Sequence, residues 1–219
     1  VKAIILCAGM STRMQGYTDM PKCLLPVAGK PIVRHWIDRL WEVDDTMDII
    51  VNVHYQPGMM FEELYGSGVE LMGEKELLGS AGTLYASREW IGKERFIVIY
   101  GDVWTDIDLV EFIEYRDVYK MTVAVDERED LTGCGIAQIA NGVMVGFAEK
   151  PEIPKGTHSF SGLITGEGEA LNTLSPRMFD IGRDWLPHLA HMANVYVIES
   201  GVRDIGTPEQ YEQLLEETG

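Results

Sequence analysis

Cations are scarce in this chain: 18 Lys and Arg face 35 Asp and Glu, a formal net charge of −17 over 219 residues. A field of that sign repels polyanions, which argues against non-specific nucleic-acid binding and against attachment to an anionic membrane surface. Any phosphate chemistry must then rest on a few focused cations. Cysteine is scarce too. Cys7, Cys23 and Cys134 are odd in number, far apart and without CxxC spacing, so reduced thiols in a cytoplasmic protein fit better than a disulfide or zinc framework. No apolar run approaches the roughly 18 to 20 residues a membrane span needs, and Val1-Lys2-Ala3-Ile4 lacks the shape of a signal peptide. Internal repeats, low-complexity tracts and linkers are also missing. With 46% hydrophobic residues, ample for one continuous core, residues 1–219 read as a single domain.

What is present alternates. Val1 to Cys7 is a short apolar run halted at Ala8-Gly9, as expected of a strand buried on both faces. Pro31 is suited to open a helix along which Ile32, Val33, Trp36, Ile37, Leu40 and Trp41 share one face. Strands over 48–53, 69–72 and 95–100 then alternate with helices over 59–65, 81–90 and 109–118, the pattern of a layered α/β fold with a parallel sheet. Further on, 121–125, 135–139 and 143–148 are strand candidates, the last two joined by the hairpin dipeptide Asn141-Gly142. A helix over 184–192, a strand over 195–199 and a closing helix over 208–217, with Thr207 as its cap, complete the reading. His35, His188 and His191 fall on helical segments and His54 at a strand end, places where histidine is more often structural than a ligand.

In an open α/β sheet, ligands bind at the carboxyl ends of strands, where turns present free backbone N–H groups. The stretch Leu6-Cys7-Ala8-Gly9-Met10-Ser11-Thr12-Arg13-Met14 is such a turn: Ala8, Gly9 and Ser11 are small enough to let a polyphosphate approach, and Arg13 offers a planar fork. Lys22, held behind Pro21, supplies a second charge. The segment is neither a GxGxxG nor a Walker A motif, and alone it reads equally as an ordinary strand-to-loop connection.

Together with Pro21-Lys22-x-Leu24-Leu25-Pro26-Val27-x-Gly29-Lys30-Pro31-Ile32, that loop resembles the signature of the sugar-1-phosphate nucleotidyltransferases, also called nucleoside-diphosphate-sugar pyrophosphorylases. Other segments resemble the family in the same order. Leu78-Gly79-Ser80-Ala81-Gly82-Thr83 matches the segment that lies against the nucleobase, and Gly101-Asp102-Val103 the one whose Asp binds magnesium. Phe147-Ala148-Glu149-Lys150-Pro151 matches the sugar-phosphate motif, and the stretch from Asp204 to Tyr211 carries the second metal-binding Asp. The family usually has glycine at Ser11, and an Asn-Ala-Gly where this chain has Phe160-Ser161-Gly162. The stretch 156–203 resembles it poorly.

The resemblance implies a Rossmann-like layered sheet, mixed and mostly parallel, with helices on both faces. It also implies a Mg²⁺-dependent transfer of a nucleoside monophosphate from a nucleoside triphosphate to a sugar 1-phosphate. Catalysis falls to Arg13, Lys22 and Asp102, with Mg²⁺ on Asp102 and Asp204. Nucleotide contacts fall to Leu6, Ala8, Gly9, Met10, Ser11, Thr12, Glu74, Gly79, Ser80 and Gly82, and sugar-phosphate contacts to Glu149, Lys150 and Gly162. Because the nucleophile is already an anion, positioning and electrostatics suffice without a strong base. Glu74-Lys75-Glu76 resembles the short guanylyltransferases acting on mannose- or heptose-1-phosphate, which favours GTP over UTP, dTTP or CTP. The chain stops soon after the Asp204 segment, so the C-terminal β-helix of longer members is not expected. No nucleic acid or membrane partner is expected.

Three rival classes remain. Asp106-Ile107-Asp108 fits by letter the metal-binding Asp-x-Asp of nucleotide-sugar-dependent glycosyltransferases, but leaves Arg13 and Pro21-Lys22 unexplained. A non-catalytic nucleotide-sugar-binding paralogue has no reason to keep Arg13, Lys22, Asp102 and Asp204 together. A dinucleotide-dependent oxidoreductase would need a second glycine and a ribose-binding acid.

Overall fold

The structure is a computed structural model that describes residues 1–115, 117–199 and 201–219. In chain order its elements are β1 (Lys2–Leu6), β2 (Pro26–Val27), β3 (Lys30–Pro31), α1 (Ile32–Val43), β4 (Asp48–Val53), α2 (Pro57–Leu64), β5 (Glu70–Gly73), α3 (Gly79–Ile91), β6 (Arg95–Tyr100), β7 (Val103–Trp104), α4 (Leu109–Glu114), β8 (Met121–Glu127), β9 (Gly135–Ala140), β10 (Val143–Glu149), β11 (His158–Glu167), β12 (Asn194–Ile198), β13 (Arg203–Asp204) and α5 (Pro208–Thr218). The chain packs as two compact bodies, each drawn from separate segments. One comprises residues 2–77, 99–105 and 202–219, the other Val1, 78–98 and 106–201.

In the first body β1, β4 and β5 run parallel, with Ile4 opposite Ile50 and Ile50 opposite Glu70. The apolar side chains of β1 and β4 form the core: Ile4, Ile5 and Val51 are fully buried. Helix α1 follows Pro31, whose fixed φ suits a helix start. It buries Ile32, Val33, Trp36, Ile37 and Leu40, the one face that helical spacing dictates. Each large apolar side chain so buried contributes roughly 1.5–3 kcal/mol. Two short antiparallel ribbons complete this body: β2 with β3 through Ala28-Gly29, both at positive φ, and β7 with β13, pairing Val103 with Asp204.

The second body carries the strand order β6-β11-β8-β12-β10-β9. Strand β8 is parallel to β12 and antiparallel to β11. The β9–β10 hairpin turns through Asn141 (φ 51°) and Gly142 (φ 74°), the paired positive angles that a two-residue hairpin turn needs. The sheet of this second body is therefore mixed, with β8–β12 parallel and β8–β11 and β9–β10 antiparallel.

Three segments differ from the sequence reading. Strand β11 is ten residues long where the sequence reading placed no strand; its Ser, Thr and Gly residues hide the alternation that marks a strand. The helix expected over 109–118 is observed only as far as Glu114, and Arg116 lies outside the described residues. In place of a helix over 184–192 there is one π-helical turn over Ile181–Trp185 and a 3₁₀ turn over Leu186–Leu189. Pro187 removes a donor there, and His191 sits at φ 63° beyond the helix.

Gly101 closes the end of β6 against β1. A Cβ there would collide with the Cys7 sulfur and stand 3.0 Å from the Leu6 carbonyl, while the Gly101 N–H donates to that carbonyl at 2.9 Å. Gly101→Ala is therefore expected to lower stability by about 1–3 kcal/mol, read as a shift in the urea midpoint at unchanged slope.

Candidate active site

The loop after β1 is held from below by one amide. Asn52, buried in β4, accepts the backbone N–H of Cys7 at 2.6 Å and of Ala8 at 3.2 Å. Its own N–H₂ donates to Glu74 Oε1 at 2.8 Å, and the Glu74 N–H donates to the Val53 carbonyl at 2.8 Å. The Glu74 backbone carbonyl in turn meets His54 Nδ1 at 2.9 Å. Glu74 thus lies buried beneath the loop, with one carboxylate oxygen committed to aiming Asn52. Cys7 packs as the small apolar residue expected, and burial pushes its thiol well above the ordinary range.

Ser11 adopts a left-handed conformation (φ 51°, ψ 27°), which costs a residue with a Cβ roughly 1–2 kcal/mol. That is the backbone reason for glycine at this position in the resembled family. Here the hydroxyl compensates: buried Ser11 Oγ accepts the Lys22 N–H at 3.1 Å and ties the loop to the Pro21-Lys22 segment. Its carbonyl accepts the Met14 N–H at 2.9 Å, starting the 3₁₀ turn Thr12–Met14. Gly9, Met10 and Thr12 are exposed on the outer side.

Lys22 Nζ and Asp102 Oδ2 meet at 2.9 Å in a half-buried ion pair. Helix α1 pins the segment that carries Asp102: the Trp36 indole donates to the Val103 carbonyl at 2.9 Å and Arg39 to the Thr105 carbonyl at 2.6 Å. The Asp102 carbonyl accepts the Ile205 N–H at 2.9 Å, so Asp204 follows on the adjacent ribbon. Gly206 completes the group, because a Cβ there would stand 3.2 Å from both terminal nitrogens of Arg13. Arg13 is exposed and makes no hydrogen bond or ion pair among the described residues. Four of the expected residues, Arg13, Lys22, Asp102 and Asp204, thus gather in the first body.

The remaining expected residues fall in the second body. Gly79 (φ 75°) opens α3 against Phe179, where a Cβ would stand 2.7 Å from the ring. Ser80 Oγ accepts the Ile181 N–H at 2.8 Å, and Gly82 lies close to Leu78. Glu149 and Lys150 form an ion pair at 3.5 Å. Lys150 has a strained left-handed backbone (φ 44°) held by its N–H bond to the Cys134 carbonyl at 3.0 Å. Gly162 (φ 75°) sits in the β11 bulge beside Ser161, which donates to buried Asp126 at 2.9 Å. Asp108, second acid of the Asp-x-Asp triplet, caps α4 by accepting the Glu111 N–H at 2.9 Å.

The sequence profile of the family described as nucleotidyl transferase matches residues 2–218. This chain belongs to that family. A rice relative, probable mannose-1-phosphate guanylyltransferase 3, is 28% identical over 228 residues, covering 96% of this chain and 63% of its own length. The Xenopus laevis mannose-1-phosphate guanyltransferase beta-A is also 28% identical, covering 96% and 62%. The chain therefore spans less than two thirds of these relatives. Among solved structures, HddC from Yersinia pseudotuberculosis superposes with a TM-score of 0.83 at 25% identity, over 100% of this chain and 99% of that one. A putative glucose-1-phosphate thymidylyltransferase from Bacillus anthracis gives 0.85 at 21% identity over 99% and 94%, a likeness of fold.

Sequence reasoning missed Asn52. Its only signal is a lone amide among the apolar residues of β4. Asn52→Ala would remove the shared acceptor of two loop N–H groups and one donor to buried Glu74, so a loss of about 2–4 kcal/mol is expected in chemical denaturation. Burial raises the Glu149 carboxyl above its usual range, opposed by Lys150 and reinforced by Asp180. With the folded-state value above the unfolded one, the native protein holds the extra proton and stability falls as pH rises through the folded value. Glu149→Gln is expected to melt higher than the parent near pH 8, with the gain gone below about pH 4. A constant difference across pH would contradict the assignment.

Proposed function

We propose that this protein transfers a nucleoside monophosphate from a nucleoside triphosphate to a sugar 1-phosphate, releasing pyrophosphate. One observation carries the reading. In a chain of net charge −17, an uncommitted Arg13 and a braced Lys22–Asp102 pair converge on one fixed loop.

The reaction joins two anions. An oxygen of the sugar phosphate attacks the α-phosphorus, a new P–O bond forms, and the bond to the β-phosphate breaks with its electron pair leaving on pyrophosphate. Arg13 binds the leaving β- and γ-phosphates through its fork, and Lys22 the α-phosphate. Lys150 positions the attacking phosphate, and Glu149 accepts from a sugar hydroxyl. No side chain need remove a proton, since the nucleophile is already charged; the protein contributes alignment and fixed positive charge.

The donor set of Asp102 and Asp204 suits Mg²⁺, which favours one or two carboxylates plus substrate phosphates over an all-protein cage. Among the described residues no group of three or more His, Cys, Asp or Glu forms such a cage. When bound, the ion supplies charge neutralisation between the two phosphates.

The guanylyl names of the rice and Xenopus relatives support GTP as the nucleotide and mannose 1-phosphate as a first sugar to try. The deciding experiment is pyrophosphate release over a matrix of four nucleoside triphosphates and several sugar 1-phosphates, with and without Mg²⁺. GTP with Mg²⁺ is expected to turn over fastest, and Asp102→Asn to lower kcat by more than about tenfold. Faster turnover with UTP, dTTP or CTP would reassign the base; an Asp102→Asn variant within tenfold of the parent would remove the metal role.

A further inference from the structure

The segment 179–184 is tied down more firmly than an exposed connection requires. Asp184 Oδ2 accepts the N–H groups of Phe179 at 2.8 Å and Asp180 at 2.9 Å. Asp180 Oδ1 accepts the Arg183 N–H at 2.8 Å. The segment is also fastened to the start of α3, through the Ala81 N–H on the Phe179 carbonyl at 3.0 Å and the Ile181 N–H on Ser80 Oγ. Gly182 is pressed against the sugar-phosphate motif: a Cβ there would stand 2.9 Å from Glu149 Cδ and 3.3 Å from Asp180 Oδ1. A π-helical turn at this point fits a built site, since such turns concentrate where function needs irregular backbone.

Arg183 is the residue this bracing presents. It is exposed, and its guanidinium makes no hydrogen bond or ion pair among the described residues. Its charge is felt at Glu149, where burial raises the carboxyl and Lys150 and Arg183 oppose that rise. In so acidic a chain, an uncommitted cation on a braced segment next to Glu149 and Lys150 is well placed for an anion.

We propose that Arg183 is a second phosphate-binding cation of the sugar-phosphate subsite, sharing the sugar 1-phosphate with Lys150. The inference rests on the transfer reading above for the identity of that ligand. Lys150 contributes a point charge and Arg183 a directional fork, and the two together fix which phosphate oxygen attacks.

The test is calorimetric titration of the parent, Arg183→Gln and Arg183→Lys with glucose, mannose and N-acetylglucosamine 1-phosphates, and separately with GTP. Arg183→Gln is expected to weaken the tightest sugar phosphate by about tenfold or more, a loss of one charge-assisted contact. Arg183→Lys should recover part of that loss, while GTP affinity and Tm stay at the parent's values. Binding within twofold of the parent overturns the assignment, as does an equal loss of GTP affinity or the absence of sugar-phosphate binding by the parent. A parent that binds sugar phosphate in an Arg183-dependent way yet releases no pyrophosphate would overturn the transfer reading and leave Arg183 in place.

Discussion

Lys22 and Asp102 come from segments eighty positions apart in the chain and meet at 2.9 Å. Each is only partly exposed, so each would carry a desolvation penalty without the other. The contact therefore demands that both backbones be fixed. Ser11 Oγ fixes the Lys22 N–H, and the indole of Trp36 and the guanidinium of Arg39 fix the carbonyls that follow Asp102. Asn52 and Glu74 fix the loop from which Ser11 reaches. Helix α1, strand β4 and the first loop are bound together by the need to hold one cation and one carboxylate in place.

The same pairing has a use in the absence of substrate. Asp204 lies in β13 and Asp102 immediately before its partner strand β7, two carboxylates on neighbouring segments of a chain already rich in negative charge. Lys22 offsets the charge of Asp102. On the proposed reading, phosphates and a divalent ion would bring both signs at once, and Lys22 and Asp102 would hold them in place of each other at little electrostatic cost. Arg13 has no such partner among the described residues, which on the proposed reading would suit it to a group that must bind and then depart.

Much of this was legible in the sequence because local chemistry and global fold agree there. Pro31 and the apolar face of α1, the Asn141-Gly142 hairpin, and Thr207 as cap of α5, whose side chain accepts the Gln210 N–H, all follow from local rules. The gathering of Arg13, Lys22, Asp102 and Asp204 was legible only through resemblance, since no periodicity links residues so far apart. Asn52 was not legible: its role depends on β4 lying beside β1 in one register, with Asn52 opposite Leu6. Nor was the use of Glu74 as a brace, which needs that same register carried one strand further to β5. The left-handed Ser11 and Lys150 were hidden because neither residue type announces positive φ as glycine does.

Strain and irregularity mark the Glu149-Lys150 motif as well. Lys150 is bent into a conformation that a β-strand would not choose, Gly135 and Gly182 give up side chains to leave room for Glu149, and the segment after Phe179 winds a π-helical turn. A Cβ on Gly135 would stand 2.7 Å from Glu149 Oε2 and 2.7 Å from the Phe147 ring. Regular structure would cost less in each place. Such costs persist where surrounding contacts over-determine them, and the bonds from Cys134, Asp180, Asp184 and Ser80 do so here. The consequence is a carboxylate whose burial works against its own charge, with Lys150 and Arg183 opposing that effect. On the proposed reading, a half-buried acceptor flanked by cations would discriminate a sugar hydroxyl from solvent, because water cannot fully replace the hydrogen bond that a correctly placed hydroxyl donates.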